Sequence, residues 1–438
     1  MLSAYHDQLI NIRRQLHQNP EEGWSEFTTT AFLVTTLRGY GYDVLLGRKV
    51  IDPEACLGRE ESVVKAGLER ARRNGVSEEL LAEMEELTGC VAVLDTGRPG
   101  PTLAIRFDID CVPVTECTDE THVPAKEGFI SKNPGFMHAC GHDMHASMML
   151  GVAKYLCSNR DKFAGTVKLI FQPSEDTLPG GAKELVEKGV MENPHVDAIF
   201  GMHLIPDEKE IGTVEFHEGP LTTSVDLFDI TVIGKGGHGS TPHLTKDPIL
   251  AACQMVTLLQ QIPARYIDPL ETVIFPVCSF HSGEAPNVIP GEAKFGGIAR
   301  SYLPSVRKQV AEQVFQIAKG VEALSGTKVD INHYEGYPAC YNDPALTREA
   351  MEAVSEALGE EHAEEISLPY SFSEDFSYYT EMTGTPGLFM MVKAGHIGEM
   401  VALHNAKCAM SEEAMPLGMA AMITVALNYL DKRTSLPL

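Results

Sequence analysis

The sequence of 438 residues contains a single tryptophan, and its basic residues are few compared with its acidic ones. It has 35 Lys and Arg against 61 Asp and Glu, which gives a formal net charge of −26. No uninterrupted apolar run approaches the roughly 18 residues of a membrane span. Because nucleic acid and acidic membranes would repel so acidic a chain, we expect neither as a partner.

The ten cysteines lack the paired spacing of a small disulfide scaffold. Residues 1–10 show no apolar signal core, and the apolar stretch 418–427 predicts a buried C-terminal helix. These features predict a cytoplasmic protein whose thiols stay reduced. The length and the 44% hydrophobic content are sufficient for two domains.

The first half of the chain alternates apolar strands with amphipathic helices. Strands are predicted at 103–107, 167–171 and 198–203, between helices such as 145–156 and 182–188. This alternation favours an α/β catalytic domain with a mixed sheet and helices on both faces.

From about residue 222 the pattern changes, because 225–233 alternates with period two. We predict a discontinuous catalytic domain at 1–221 and 336–438, with an inserted α+β lid or dimerisation domain at 222–335. The inserted domain would have a four-stranded sheet and two helices, with helices at 248–261 and 305–324 and further strands at 273–280, 293–298 and 328–333.

The segment 137–145 contains one cysteine, three histidines and an aspartate within nine residues. Thiolate and imidazole are ligands that suit zinc, and Gly141 allows the backbone to turn Cys140 and His142 toward one point. A metal site is therefore the first hypothesis. For one isolated Cys-x-His motif, a polar loop without metal would be the more frequent explanation.

Distant residues strengthen the metal hypothesis. Glu175 and Asp176 follow the predicted strand ending at 171, His203 ends another strand, and His404 lies near the C-terminus. Each alone would more often be an ordinary polar residue. Together with the cysteine motif they supply enough ligands for two metal ions and leave one carboxylate as a base for hydrolysis.

These motifs, in this order, resemble those of the M20 metallopeptidase family, in its aminoacylase-like amidohydrolase subgroup. The charged insertion at 48–87 and the segment 94–101 resemble aminobenzoyl-glutamate hydrolases within the family. The resemblance extends over nearly the whole chain and rests on residues 13–17, 20–21, 26, 106–110, 140–145, 172–175, 236–243, 287–290, 373–376 and 404–405.

The resemblance implies two divalent metal ions, zinc or manganese, and a general base, Glu175. The implied ligands are Cys140, His142, Asp176, His203 and His404, and Asp110 would orient a histidine or the cysteine loop. The family's usual glutamate is Asp176 here, so the backbone moves inward, the second metal binds more weakly, or a water intervenes. Phe372 also stands where a glycine is expected.

In related enzymes a histidine and an asparagine of the lid reach the catalytic site across a dimer contact, and His238 and Asn287 match them. They would stabilise the oxyanion and position the acyl group. From spacing alone, His238 would more often lie exposed in a hairpin turn. Arg300 would bind a substrate carboxylate, with pairing to a neighbouring acid as the alternative. The insertion is predicted to be a solvated helical hairpin, or alternatively a cleft wall or subunit contact.

The resemblance thus implies a dimeric amidohydrolase that cleaves N-acyl or N-aroyl amino acids, with p-aminobenzoyl-glutamate as the narrower substrate. A homodimer is expected, and a heteromer with a related subunit is the second arrangement. The rival functions are a catalytically silent partner subunit that binds metal or substrate, and a dimer with a structural metal. Glu175 argues against both, because structural zinc needs no spare carboxylate.

Overall fold

The computed structural model describes residues 2–56 and 58–434. Within them the chain forms two compact units. The first contains the residues up to 219, 341–368 and those from 375 onward, and the second contains 220–340 and 369–374. The short segment 369–374 belongs to the second unit because Tyr370 N–H donates to Leu221 O (2.8 Å) and Thr223 N–H donates to Phe372 O (2.9 Å).

The secondary structure of the described residues is as follows. The α-helices are α1 (Leu2–His17), α2 (Phe27–Tyr40), α3 (Glu61–Arg73), α4 (Glu78–Met84), α5 (Val123–Lys126), α6 (His142–Ser158), α7 (Ala182–Glu187), α8 (Pro248–Leu259), α9 (Pro304–Ser325), α10 (Pro344–Leu358), α11 (Ser377–Glu381) and α12 (Ala414–Thr434). The strands are β1 (Asp43–Leu45), β2 (Cys90–Asp95), β3 (Thr102–Asp108), β4 (Thr166–Gln172), β5 (Ala198–Ile205), β6 (Ile211–Phe216), β7 (Gly219–Pro220), β8 (Asp226–Ile233), β9 (Gly237–His238), β10 (Val273–Ile274), β11 (Val277–His281), β12 (Val288–Ile289), β13 (Glu292–Ser301), β14 (Lys328–Glu335), β15 (Tyr341–Asn342), β16 (Ala363–Glu365) and β17 (Gly387–Ala394).

The first unit is built on an eight-stranded mixed sheet in the order β1-β2-β4-β3-β5-β17-β6-β16. Strands β4, β3, β5 and β17 are parallel neighbours. Strand β3 is buried along its whole length, as expected for a parallel strand covered on both faces. The predicted α/β class with a mixed sheet is therefore confirmed. The carboxyl ends of β3, β4 and β5 meet at one edge, where ligands bind in open α/β sheets.

Helix α12 is long and apolar enough to cross a membrane, but 72% of its apolar window is buried inside the protein. It packs against α6 and α10, and Met419 and Met422 lie in the core. The predicted buried C-terminal helix is confirmed, and its apolar character is explained by packing.

The charged insertion forms α3 and α4, as predicted. Helix α4 ends at Met84, before the end of the insertion, because Glu85 and Glu86 take left-handed backbone conformations (φ 51° and 62°). Ser77 caps α4 by accepting the Leu80 N–H at 3.3 Å. The hairpin is not simply solvated, since α3 buries Val64, Leu68 and Ala71.

A buried contact also joins the insertion to the segment before α2. Arg70 of α3 donates to Glu21 Oε1 (3.2 Å) and to the Ser25 hydroxyl (2.9 Å). The only tryptophan, Trp24, lies in this segment with φ 64° and 1% exposure.

In the second unit, β8 is central between β13 and β14, and helices α8 and α9 pack on the sheet. Strand β8 alternates buried and more exposed residues, as its period-two pattern predicts. The predicted four-stranded sheet has five strands, because the stretch predicted as one strand at 273–280 is divided into β10 and β11. Pro276, which has no N–H to donate, separates these two strands, and both pair with β13.

Candidate metal centre

The ends of three neighbouring strands supply much of the candidate centre. Asp108 ends β3 and Asp110 follows it, Glu175 and Asp176 follow β4, and His203 lies near the end of β5. This arrangement follows from the parallel order of the strands, which places their carboxyl ends side by side.

The cysteine motif enters the same edge at the start of α6. Gly141 takes a left-handed conformation (φ 94°), and a Cβ there would lie 2.5 Å from Met410 Cε. A glycine is therefore required between Cys140 and His142. Both flanking side chains are buried, with 6% exposure for Cys140 and 0% for His142.

His142 presents one ring nitrogen to the centre. Its Nδ1–H donates to the Asp110 backbone oxygen (3.0 Å) and to Asp110 Oδ1 (3.1 Å). The buried Nε2 has no hydrogen-bond partner among the described residues and lies 3.7 Å from Asp176 Oδ2. Asp110 thus lies where an orienting carboxylate was predicted.

The charges around His142 favour a cation at Nε2. Burial lowers the pKa of the imidazole, but the carboxylates of Asp108, Asp110 and Asp176 outweigh burial and raise the pKa to about 10. The surroundings of Nε2 therefore attract a positive charge, which can be a proton or a metal ion.

His203 is oriented in the same way. Its Nδ1–H donates to the Leu204 oxygen at 2.7 Å, and its Nε2 lies 3.4 Å from Cys140 Sγ. Burial and the neighbouring His145 lower the pKa of His203 to about 3. Its ring is therefore neutral, the form that binds metals.

Asp176 lies between two predicted ligands. One carboxylate oxygen is 3.2 Å from His404 Nε2, and the other, Oδ2, is buried without a hydrogen-bond partner in the described part of the chain. His404 has φ 64°, and its N–H donates to Ala139 O at 2.9 Å, which holds it beside the cysteine loop. The shorter side chain of Asp176 therefore still faces the cluster.

The five predicted ligands fall into overlapping groups whose potential ligand atoms lie within 4.8 Å of one another. One group contains Cys140, His142 and His203, and another contains Cys140, Asp176 and His404. Because Cys140 belongs to both groups, they form one continuous cluster.

The sequence analysis assigned no role to two further members of this region, Asp108 and His145, although both lie within the motifs that it used. His145 Nδ1–H donates to Asp108 Oδ1 at 2.6 Å, and its Nε2 accepts the Leu204 N–H at 2.9 Å. Both ring nitrogens of His145 are therefore occupied, so this histidine supports the centre without a free atom for a metal. Its position three residues after His142 on one helical face was the available signal.

A buried polar network lies beneath the same strand ends. Arg106 donates to Gln172 Oε1 (2.7 Å), to Asp108 Oδ2 (3.0 Å) and to Asp375 Oδ1 (2.5 Å). Gln172 Nε2 also donates to Asp375 Oδ2 at 2.6 Å. These bonds connect the ends of β3 and β4 to the start of α11 and fix them relative to each other.

Glu175, the predicted base, is 6% exposed and immediately precedes Asp176. Its carboxylate oxygen lies within 4.8 Å of an oxygen of Asp375. It is not a member of the groups that contain Cys140 or His142 in the described residues. Glu175 is therefore a buried acidic residue that directly precedes the proposed ligand Asp176.

Two predicted residues, His238 and Asn287, lie together in the second unit. His238 of β9 is paired with Val288 of β12 in an antiparallel ladder. Gly239 N–H donates to Asn287 O at 2.9 Å. Ser240 N–H donates to His238 Nδ1 at 3.1 Å, so the proton of the neutral ring is on Nε2. His238 is exposed and presents Nε2–H as a donor.

Arg300, on β13 of the second unit, contacts only neutral oxygens. Its Nη1 donates to the Ser373 hydroxyl at 2.7 Å and lies 3.3 Å from Ser371 O. Among the described residues, no carboxylate lies within ion-pair distance of this guanidinium. The alternative, that Arg300 pairs with a neighbouring acid, is therefore not what the structure contains.

Residues 104–428 match Peptidase family M20/M25/M40. The chain belongs to this family. This M20 protein is 39% identical over 338 residues to a homolog of one subunit of p-aminobenzoyl-glutamate hydrolase in Haemophilus influenzae, covering 75% of this chain and 78% of the relative. It is 32% identical over 422 residues to hippurate hydrolase of Campylobacter jejuni, covering 96% of both chains.

Comparison with a solved structure indicates the same family. The M20 protein matches a dinuclear metal-binding M20 peptidase from Bacillus subtilis with a TM-score of 0.76 and 30% identity, covering 98% of this chain and 99% of that one. The protein is a metal-dependent hydrolase of amide carbon–nitrogen bonds, and its predicted family is confirmed.

The residues of this M20 centre fit divalent metal. Two buried atoms, His142 Nε2 and Asp176 Oδ2, lack hydrogen-bond partners in the described structure, which is costly for buried polar groups unless a ligand occupies the site. Thiolate, neutral imidazole and carboxylate are the donors that suit zinc and its neighbours. The candidate cluster therefore has both the chemistry and the unused acceptors that a cation requires.

Proposed function

We propose that this protein hydrolyses the amide bond of N-acyl or N-aroyl amino acids, with p-aminobenzoyl-glutamate as the leading substrate. The observation that carries the proposal is Arg300, whose guanidinium has only neutral partners among the described residues. A charged donor without a protein counter-ion favours a substrate that brings a carboxylate. Relatives named for p-aminobenzoyl-glutamate and hippurate hydrolysis support this substrate class.

We further propose that the cluster holds two divalent ions, zinc or manganese. Cys140, His142, Asp176, His203 and His404 would be their ligands, and Asp110 would orient His142. When bound, the ions would act as Lewis acids toward the amide carbonyl. The name of the dinuclear M20 relative supports two ions rather than one.

The remaining steps belong to the side chains. Glu175 would take a proton from the attacking water as the new carbon–oxygen bond forms, and would return it to the leaving nitrogen as the carbon–nitrogen bond breaks. His238 Nε2–H would stabilise the oxyanion, and Asn287 would position the acyl group. Arg300 would bind the substrate carboxylate. The products are a free acid and an amino acid.

We also propose that the protein works as a homodimer in the cytoplasm. A heteromer with a related subunit is the alternative assembly, because the Haemophilus influenzae relative is named for one subunit of its hydrolase. A catalytically silent subunit is not favoured, since the proposed base Glu175 is retained next to Asp176 in the sequence.

The test is a substrate panel assayed after removal of metal and readdition of zinc or manganese. The panel would contain p-aminobenzoyl-glutamate, hippurate, N-acetyl-cysteine and a dipeptide. We expect the aroyl amino acids to be cleaved fastest. Metal binding without hydrolysis of any member, also in the presence of related subunits, would support the silent role instead.

A further inference from the structure

The turn that carries Glu175 and Asp176 has an unusual backbone. Ser174, directly before Glu175, adopts a left-handed conformation (φ 57°), which is rare for a residue with a side chain. Such a conformation persists only when the surrounding structure holds it. The contacts of residues 174–176 should therefore show what fixes this turn.

Two buried acidic side chains hold the turn on both sides of Glu175. Asp110 Oδ2 accepts the Asp176 N–H at 3.0 Å, and Glu26 Oε1 accepts the Ser174 N–H at 2.8 Å. The backbone N–H groups of the residues before and after Glu175 are thus both bound by oxygens of acidic side chains. Asp110 also binds His142, whereas no role has been assigned to Glu26.

Glu26 is directed to this turn rather than to its own helix. It occupies the N-cap position of α2 but makes no side-chain cap bond. Glu21 caps the helix instead by accepting the N–H groups of Thr28 (3.1 Å) and Thr29 (2.8 Å). The second oxygen of Glu26 accepts the Thr88 hydroxyl at 2.7 Å, and the side chain is fully buried.

The segment before α2 also supports the turn through Gly23. A Cβ at Gly23 would lie 2.6 Å from Ser174 Oγ and 3.0 Å from Thr177 Oγ1. This segment therefore packs against the turn too closely for any side chain at position 23. A carboxylate and a glycine, three residues apart, contact the same turn.

We propose that Glu26 is a positioning residue that fixes the left-handed turn at Ser174, and thereby the direction of Glu175. The effect on catalysis rests on the proposed function of Glu175, whereas the effect on the turn does not. In this role Glu26 acts through Ser174, whose N–H it binds.

The kinetic test uses graded variants of Glu26. Glu26→Ala removes both acceptors, and we expect kcat to fall about 100-fold with KM changed less than about twofold, because a displacement near 1 Å costs that much. Glu26→Gln keeps an acceptor for the Ser174 N–H, so it should retain kcat within about fivefold. Metal content should stay at the parental value in both. An Ala variant with parental kcat would overturn the proposal.

The matched control is Ser25→Ala. Ser25 is also fully buried, and its hydroxyl bonds Glu22 O (2.9 Å) and Arg70 (2.9 Å) but no atom of residues 174–176. The alanine variant loses both bonds. We expect its kcat to remain parental even if its melting temperature falls. An equal loss of kcat in Ser25→Ala and Glu26→Ala would show a general structural effect and would overturn a specific role for Glu26.

A second readout does not require turnover. In hydrogen–deuterium exchange, peptides covering 171–178 should exchange faster in Glu26→Ala and in Gly23→Ala than in the parent or in Ser25→Ala. Unchanged exchange would overturn the proposal even if kcat falls. If the parent hydrolyses no panel member, the proposed function fails, and the exchange experiment still decides whether Glu26 holds the turn.

Discussion

Both units contain polar groups whose bonding capacity the described residues leave partly unused, but the two groups differ in the ligand that they favour. In the first unit, His142 Nε2 and Asp176 Oδ2 are buried polar atoms without hydrogen-bond partners among the described residues. In the second unit, Arg300 is a donor that contacts only hydroxyl and carbonyl oxygens. The first arrangement favours a cation and the second favours an anion.

The two units also differ in how firmly hydrogen bonds orient these side chains before a ligand binds. His142 and His203 each have Nδ1 fixed by a hydrogen bond, so Nε2 has a defined direction before any ligand arrives. Arg300 has one short bond, to Ser373, and its other contacts are 3.3 Å or longer. Under the proposed function, the first unit would hold the metal ions and the base, and Arg300 of the second unit would bind the substrate carboxylate.

The largest expected effect on kcat comes from a variant of the proposed base in the first unit, and it distinguishes a base from a metal ligand. Glu175→Gln should lower kcat by roughly 10³-fold, within the range for a lost general base, because an amide cannot accept the proton of water. Metal content, measured by plasma mass spectrometry, should not change. Glu187→Gln, at an exposed residue of α7, is the control and should have parental kcat. Retained activity in Glu175→Gln would remove this residue from the mechanism.

The next experiment tests the cation site directly. Cys140→Ala or His142→Ala should lower the metal stoichiometry after dialysis against zinc or manganese, because each removes a proposed ligand. Cys90→Ala, at a fully buried thiol outside the cluster, should keep parental stoichiometry. Unchanged metal in both cluster variants would mean that the ion is bound elsewhere.

The anion preference of the second unit is tested by Arg300→Met. We expect kcat/KM for p-aminobenzoyl-glutamate to fall about 10- to 100-fold, the value of one or two hydrogen bonds to a charged group. For the same compound with its carboxylates converted to amides, the change should be under about threefold. Arg265→Met, an exposed residue of the same unit, provides the control. Equal losses on both substrates would contradict carboxylate binding by Arg300.

The smallest expected effect concerns the residue that departs from the family pattern. Asp176→Glu should preserve or tighten the weaker metal, whereas Asp176→Asn should weaken it by about tenfold because the charge is lost. Stepwise chelation followed by metal analysis measures this difference. If both variants match the parent in affinity and stoichiometry, Asp176 is not a ligand, and the cation must be held by the other proposed ligands, which are Cys140, His142, His203 and His404.

Much of the candidate metal centre could be predicted because its residues lie in short sequence motifs. Cys140 and His142 are adjacent to a required glycine, and Asp176 and His203 lie at the ends of strands whose parallel order the helix–strand alternation indicates. The structure places these residues in one cluster. Their roles as ligands stay predictions.

The rest depended on contacts between distant residues. Whether His145 can bind metal is decided by the Leu204 N–H, which occupies its Nε2, and no local pattern indicates that bond. The direction of the Glu26 side chain likewise depends on its bond to Ser174, which is 148 residues away in the sequence. The sequence analysis predicts one strand at 273–280, whereas the structure has β10 and β11 there, with Pro276 between them.

The lone tryptophan gives the protein a built-in optical reporter. Trp24 is buried beside Gly23, the residue that packs against Ser174, and its indole N–H has no hydrogen-bond partner in the described structure. Because no other indole contributes to the signal, emission excited at the red edge of tryptophan absorption comes from this one position. Fluorescence intensity and wavelength can therefore follow the segment behind the turn in real time, without any attached dye.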